Sequence, residues 1–133
     1  MNVDNENIAT ISNGILVFVG FDPSDSIKEI TKLTKKLLNY KIFNNSKGKV
    51  AHSVLEVGAE VLIVPQVTLS VSTNKGLKPS FSGAAGPEKG LFLFNEFKNC
   101  LKESYSRIKT GKFGANMSVS LVNEGPITYW FEA

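Results

Sequence analysis

The chain has 133 residues, 15 Lys+Arg against 12 Asp+Glu, and one each of Cys, His and Trp. That length bounds one domain, 1–133, and 42% hydrophobic with 20% charged residues excludes disordered, collagen-like and coiled-coil classes. No apolar run approaches the ~18–20 residues that span a bilayer, so no membrane partner is expected. The polar N-terminus (Met1 to Asn7) is neither a signal nor a transit peptide. A lone Cys suits a reducing compartment, and a cytoplasmic location follows.

In chain order, Ile8–Ile11 and Ile15–Gly20 read as strands joined in a hairpin at Asn13-Gly14. Asp22-Pro23-Ser24-Asp25 is a turn. Ser26 with Glu29 forms a capping box that opens a helix carrying Ile27, Ile30, Leu33, Leu37 and Leu38 up to about Asn39. Lys41-Ile42-Phe43 is a short strand and Asn44 to Gly48 a turn. Val54–Val57 reads as another strand. Glu60–Val71 is the strongest strand, continuously apolar over Val61–Val64 and then alternating, with Gln66, Thr68, Ser70 and Ser72 on one face. A polar loop from Thr73 to Pro87 precedes a helix from about Glu88 to Ile108, with Leu91, Phe94, Phe97, Leu101 and Tyr105 inward. Val119–Val122 and Ile127–Phe131 are the final strands. Strands interleaved with two long helices give an α/β domain.

Composition narrows the chemistry. One His and one Cys cannot build a multi-His or multi-Cys metal site, and no metal or other cofactor is expected. A nucleophile–histidine pair would need His52, which reads as a surface histidine, and Cys100 reads as a small core or boundary residue. Fourteen of the basic residues are Lys and one, Arg107, is Arg, so any phosphate contacts are point-charge contacts. Two places combine polar groups with special backbone demands. Pro65 interrupts a strong strand and so marks a bulge, an edge or the end of pairing, which sets Gln66 and Thr68 at a strand terminus. A substrate could meet them there, and a solvated strand end has the same pattern. Gly125-Pro126 between strands is a turn, and an X-Pro bond is the kind most often cis. Lys75 and Lys78, in a Gly-bearing loop, could touch phosphate or simply be solvated.

Taken in order, Val64-Pro65-Gln66-Val67-Thr68-Leu69, Lys78-Pro79-Ser80-Phe81 with Gly83-Ala84-Ala85, Phe113-Gly114-Ala115-Asn116-Met117 and Asn123-Glu124-Gly125-Pro126-Ile127-Thr128 closely resemble the D-aminoacyl-tRNA deacylases. Gly14 to Gly20, Lys41-Ile42-Phe43 and Ser53 to Gly58 agree as well. Each motif alone is weak, but four in order along nearly the whole chain are specific. The resemblance implies mixed β-sheet layers in a barrel-like arrangement with two long helices packed on one side. It implies a cytosolic homodimer that hydrolyses the ester joining a D-amino acid, or glycine, to the terminal ribose of tRNA. Carried over, Gln66 and Thr68 are the catalytic pocket residues, and Pro65, Val67, Phe81 and Met117 line the substrate pocket. Gly125 and Pro126 form a chiral gate reaching into the partner subunit, and Lys75 and Lys78 contact tRNA. Ribose esters are already activated, so backbone N–H donors and the neighbouring ribose hydroxyl could serve a chain with one His.

This sequence departs from the family pattern at several positions. Pro65 stands where the motif usually begins with Ser, as in a related animal branch that edits L-alanyl-tRNA, and Val67 replaces the usual Phe. Asn123 before Gly125-Pro126 matches the D-specific form. Lys78 stands where Arg is usual. The family's first strand, with its pocket-facing Arg, is expected to be missing here. The rival readings are the L-alanyl editing branch and a catalytically inactive relative that binds tRNA or protein.

Overall fold

A computed structural model describes residues 1–124 and 127–133. Its elements in chain order are β1 (Asn2–Val3), β2 (Glu6–Asn7), β3 (Gly14–Val19), α1 (Ile27–Asn39), β4 (Phe43–Asn44) and β5 (Val50–His52). They continue with α2 (Val54–Val57), β6 (Glu60–Pro65), 3-10 turns at Val67–Ser70 and Phe81–Gly83, α3 (Pro87–Ser104), β7 (Ile108–Thr110) and β8 (Met117–Ser118).

The apolar run Val61–Val64 becomes the middle strand of a three-stranded parallel sheet in the order β3-β6-β7. Both faces of β6 are covered, which is why it reads as continuously apolar. Val61 and Ile63 meet α1 and α3 through Ile30, Leu37, Leu93, Phe97 and Leu101. Leu62 and Val64 meet Met1, Ala9 and Met117 on the opposite face, where β2-β1-β8 forms a small antiparallel sheet. The fold is therefore a layered α/β domain with both long helices on one face. The expected barrel is not formed: among the described residues the three sheets (β2-β1-β8, β3-β6-β7 and β4-β5) are separate and open.

Several local expectations are corrected. Asn13-Gly14 is not a hairpin. Gly14 begins β3 opposite Glu60, where an added Cβ would lie 2.0 Å from the Glu60 carbonyl oxygen, so the glycine permits close strand approach. The hairpin lies earlier, between β1 and β2, where Asp4 (φ 51) and Asn5 (φ 64) supply the two left-handed residues of a tight turn. Val54–Val57 is a helical turn. Ser53 and Glu56 form a capping box at its start and Gly58 (φ 67) ends it, so the caps override β propensity. β6 stops at Pro65. Gln66 N–H still reaches the Val19 carbonyl at 2.7 Å, and the chain then coils into the 3-10 turn, so residues 66–72 do not alternate across a sheet.

In α3 the inward residue is Leu93, and Leu91 is exposed. That helix ends at Ser104, which releases Ile108–Thr110 to pair with β6. Val119–Val122 and Ile127–Phe131 form no strand among the described residues. Tyr129 and Phe131 pack on Tyr40 instead, with centroid separations of 5.5 and 4.8 Å. The α1 capping box is present, Glu29 accepting from Ser26 N–H at 2.7 Å.

Glu56 ties α2 to its surroundings. The Lys41 ammonium on it, then the Ser53 N–H, hold its carboxyl down at about pH 2 from the ordinary 4.5. A depressed folded-state pKa contributes stability that is present above the unfolded value and lost as the pH falls through the folded one. Unfolding measured between pH 5 and about 2 should therefore show a shallower acid loss in Glu56→Gln than in wild type. Identical acid limbs would show that the Lys41–Glu56 contact carries no weight.

Candidate functional site

The three parallel strands end on the same side of the sheet, β3 and β6 level with one another at Val19 and Pro65 and β7 two residues earlier, with Thr110 opposite Ile63. Ligands in open α/β sheets characteristically meet the carboxyl ends of the strands, and Pro65, Gln66, Val67 and Thr68 leave the sheet there. Pro65 is buried as the last residue of β6, and it donates nothing to the ladder. Gln66 is half-buried, and Val67 and Thr68 are exposed. The Gln66 side-chain amide donates to Thr68 Oγ1 at 2.6 Å, so these two side chains meet although the strand that was expected to align them has ended.

The turn has a further property. The opening N–H groups of a helical turn have no partner within it. Leu69 N–H bonds the Gln66 carbonyl and Val71 N–H the Thr68 carbonyl, whereas Val67 N–H and Thr68 N–H have no acceptor among the described residues. Two adjacent free main-chain donors beside an exposed hydroxyl are groups of the kind that can stabilise an anion. No imidazole or carboxylate touches Thr68 among the described residues. Its hydroxyl accepts from Gln66, while His52 lies on β5 with Nδ1 3.8 Å from Glu56 and Cys100 packs against the helical core.

The neighbours are glycines whose missing side chains make room. A Cβ on Gly20, just past β3, would lie 2.9 Å from the Gln66 carbonyl oxygen and 3.1 Å from both Leu69 Cβ and Ser70 Oγ. A Cβ on Gly111, just past β7, would lie 3.0 Å from Met117 Sδ and 3.3 Å from Pro65 Cδ, which places Met117 beside Pro65. A crevice of about 20 Å³ is lined by Gly20, Gln66, Val67, Gly90 and Phe113 among others. A cavity of about 1390 Å³ lies between β3, α1 and residues 119–124 and 127–133, and it reaches the turn at Leu69 and Ser70.

Phe81 opens the second 3-10 turn and is exposed. That turn packs close to the first, since a Cβ on Gly83 would meet the Ser70 carbonyl at 2.8 Å. Lys75 and Lys78 sit on an exposed loop closed by paired hydrogen bonds of 2.8 Å between Ser72 and Ser80. Gly125 and Pro126 lie outside the described residues. Sequence reasoning had not singled out Gly20, Gly111 or the free amides of Val67 and Thr68. A glycine following each apolar strand was the available signal for the first two. Among the described residues no group of three His, Cys, Asp or Glu side chains is placed to hold a metal ion.

A parallel-sheet α/β domain with main-chain donors at its strand ends defines the class. Residues 1–132 match the model of the D-Tyr-tRNA(Tyr) deacylase family, and the chain belongs to that family. Proteins named D-aminoacyl-tRNA deacylase are 42% identical in Hydrogenovibrio crunogenus, over 99% of this chain and 91% of that one, and 44% identical in Marinomonas sp., over 98% and 90%. The structure described as c-Myc DNA Unwinding Element Binding Protein superposes with a TM-score of 0.89 at 37% identity, covering 95% of this chain and 86% of that one. A second, described as a probable eukaryotic D-amino acid tRNA deacylase, has a TM-score of 0.77 at 21% identity over 93% and 88%, a likeness of fold.

Gly20→Ala should push the Val67–Ser70 turn off its position. We expect the hydrolysis of D-tyrosyl-tRNA, the reaction in the family's name, to fall roughly 10- to 100-fold with the circular dichroism spectrum retained. A wild-type rate would separate the turn from the chemistry.

Proposed function

We propose that this protein hydrolyses the ester of D-aminoacyl-tRNA, glycyl-tRNA included, releasing the free amino acid and tRNA. The observation that carries the reading is the pair of unpartnered amides at Val67 and Thr68, beside the Gln66–Thr68 hydrogen bond, in a chain of the deacylase family. Water attacks the acyl carbon, the carbonyl oxygen gains negative charge, and the two N–H groups stabilise it. Such donors contribute about 2.7–4 kcal/mol each to the transition state. The C–O bond to the ribose then breaks, and the leaving oxygen takes a proton with help from the adjacent ribose hydroxyl.

Thr68 acts as a positioning group. A threonine nucleophile requires an adjacent base, and the neighbour of its hydroxyl is an amide, which is no base. Pro65, Val67, Met117 and Phe81 line the aminoacyl side. The motif around Gly125 and Pro126 supplies the chiral gate in this reading, acting from a second copy in a homodimer, and Lys75 and Lys78 meet phosphate near the 3′ end. Among the described residues no helix is long and apolar enough to cross a membrane, and a cytoplasmic place of action fits a tRNA substrate.

Deacylation measured side by side on D-tyrosyl-, glycyl-, L-alanyl- and L-tyrosyl-tRNA tests the reading. D-tyrosyl- and glycyl-tRNA should be cleaved and L-tyrosyl-tRNA spared. Equal cleavage of both tyrosyl esters would remove the assignment, and cleavage of L-alanyl-tRNA alone would move the protein to the L-alanyl editing branch. Within the D-specific reaction, Thr68→Ser should retain most of the rate and Thr68→Ala should lose part of it. A covalent aminoacyl ester on Thr68 trapped by mass spectrometry would overturn the positioning role.

A further inference from the structure

Charge is distributed unevenly along this chain. Residues 27–52, from α1 through β5, hold seven lysines and one glutamate, a net charge of +6 in a protein whose total is +3; the remainder is therefore net −3. Four of the seven (Lys28, Lys32, Lys35 and Lys36) are exposed on α1, whose buried residues are Ile30, Thr34, Leu37 and Leu38. At 100° per residue the four lysines fall within about a 100° arc opposite that buried face, along a strip about 12 Å long. Among the described residues none of them lies within ion-pairing distance of a carboxylate. The one acid on the helix, Glu29, is engaged by Ser26 in the capping box.

An ordinary solvated helix face interleaves both signs. Here Lys28 and Lys32, and again Lys32 and Lys36, are like-charged neighbours at i,i+4, which weakens a helix. Lys28 also stands in the first turn, where the helix dipole disfavours a cation. Lys36 rests over the Phe131 ring at 5.3 Å, and the ammonium groups of the other three make no ion pair or cation–π contact among the described residues. A polyanion laid along the strip would relieve this repulsion.

The strip also has a definite relation to the candidate site. Gly20 abuts the Gln66 carbonyl and Leu69, and residues 20–26 run from that point into the N-terminal end of α1. The lysine face therefore begins one short loop from the turn that carries the free amides. An RNA whose 3′ end enters the site has its duplex stem immediately behind that end, where sequence-independent lysine contacts to phosphate suffice.

We propose that the lysine face of α1 (Lys28, Lys32, Lys35 and Lys36) is a docking surface for the phosphate backbone of the tRNA. The identity of the RNA rests on the deacylase reading above. The test compares Lys28→Gln/Lys32→Gln with a pair of equal charge change and equal spacing on α3, Lys98→Gln/Lys102→Gln, using uncharged full-length tRNA over a range of salt concentrations. The α1 pair should bind roughly tenfold more weakly at low salt, and its log affinity against log salt should flatten by about one to two. The α3 pair should match wild type. Glutamine is a good helix former and removes a like-charge pair, so the thermal midpoint of the α1 variant should not fall. Hydrolysis of the D-tyrosyl ester of adenosine, which has no stem, should be equal in all three proteins. If wild type cleaves no ester at all, the deacylase reading falls while the binding comparison still decides the docking surface. Equal losses in both pairs, or none in either, would overturn the proposal. So would phosphatidylserine-vesicle binding that weakens in the α1 pair while tRNA binding does not.

Discussion

The structure depends on β6 being paired on both sides and then stopping. Val61 to Val64 are covered above and below, so the strand is held by the parallel ladders to β3 and β7 and by apolar contact on both faces. Pro65 ends it at the level of Val19, and the last ladder-like bond comes from Gln66 N–H to the Val19 carbonyl. The chain then changes direction in a single 3-10 turn. The first two amides of that turn have no main-chain acceptor among the described residues, because a helical turn cannot satisfy its own opening donors. A stable strand and free donors are thus adjacent products of the same interruption.

Much of this was legible in the sequence. The buried strand was visible as an uninterrupted apolar run, α1 as a capping box followed by 3.6-residue spacing, and the significance of Pro65 as a proline inside a strong strand. What failed did so for identifiable reasons. Asn-Gly is the strongest short hairpin signal, yet Gly14 is needed for its missing side chain rather than for its turn geometry. Val54–Val57 is β-rich by composition, but Ser53, Glu56 and Gly58 cap it as a helix, and those caps were readable had they been weighed above propensity. The alternation after Pro65 suggested that Gln66 and Thr68 share a strand face. They do meet, through a hydrogen bond across a tight turn that period-2 reasoning cannot describe. Free main-chain amides leave no trace in residue identity, so that part of the site could only come from coordinates.

The composition fits the chemistry in an economical way. An ester of a ribose hydroxyl is activated, so charge stabilisation and positioning can replace a strong side-chain base. A chain with one histidine, half-exposed beside Glu56 on another part of the fold, can then act as a hydrolase. The positive charge is likewise separated from the proposed site: it is concentrated from α1 through β5, while the Val67–Ser70 turn is built of neutral groups. In the proposed reading, binding of the polyanion and stabilisation of the reacting carbonyl thus fall to different elements, joined by residues 20–26.

The central claim is that the Val67 and Thr68 amides receive the developing charge at the acyl carbonyl. It is tested most directly by ¹H–¹⁵N spectroscopy during titration with a D-tyrosyl-adenosine analogue in which a stable amide replaces the ester. The account requires the amide resonances of Val67 and Thr68 to move furthest, with Gly20 and Gly111 following. Saturable binding that shifts residues along β3 and 119–124 while leaving 66–68 unmoved would place the reaction in the large cavity and contradict it.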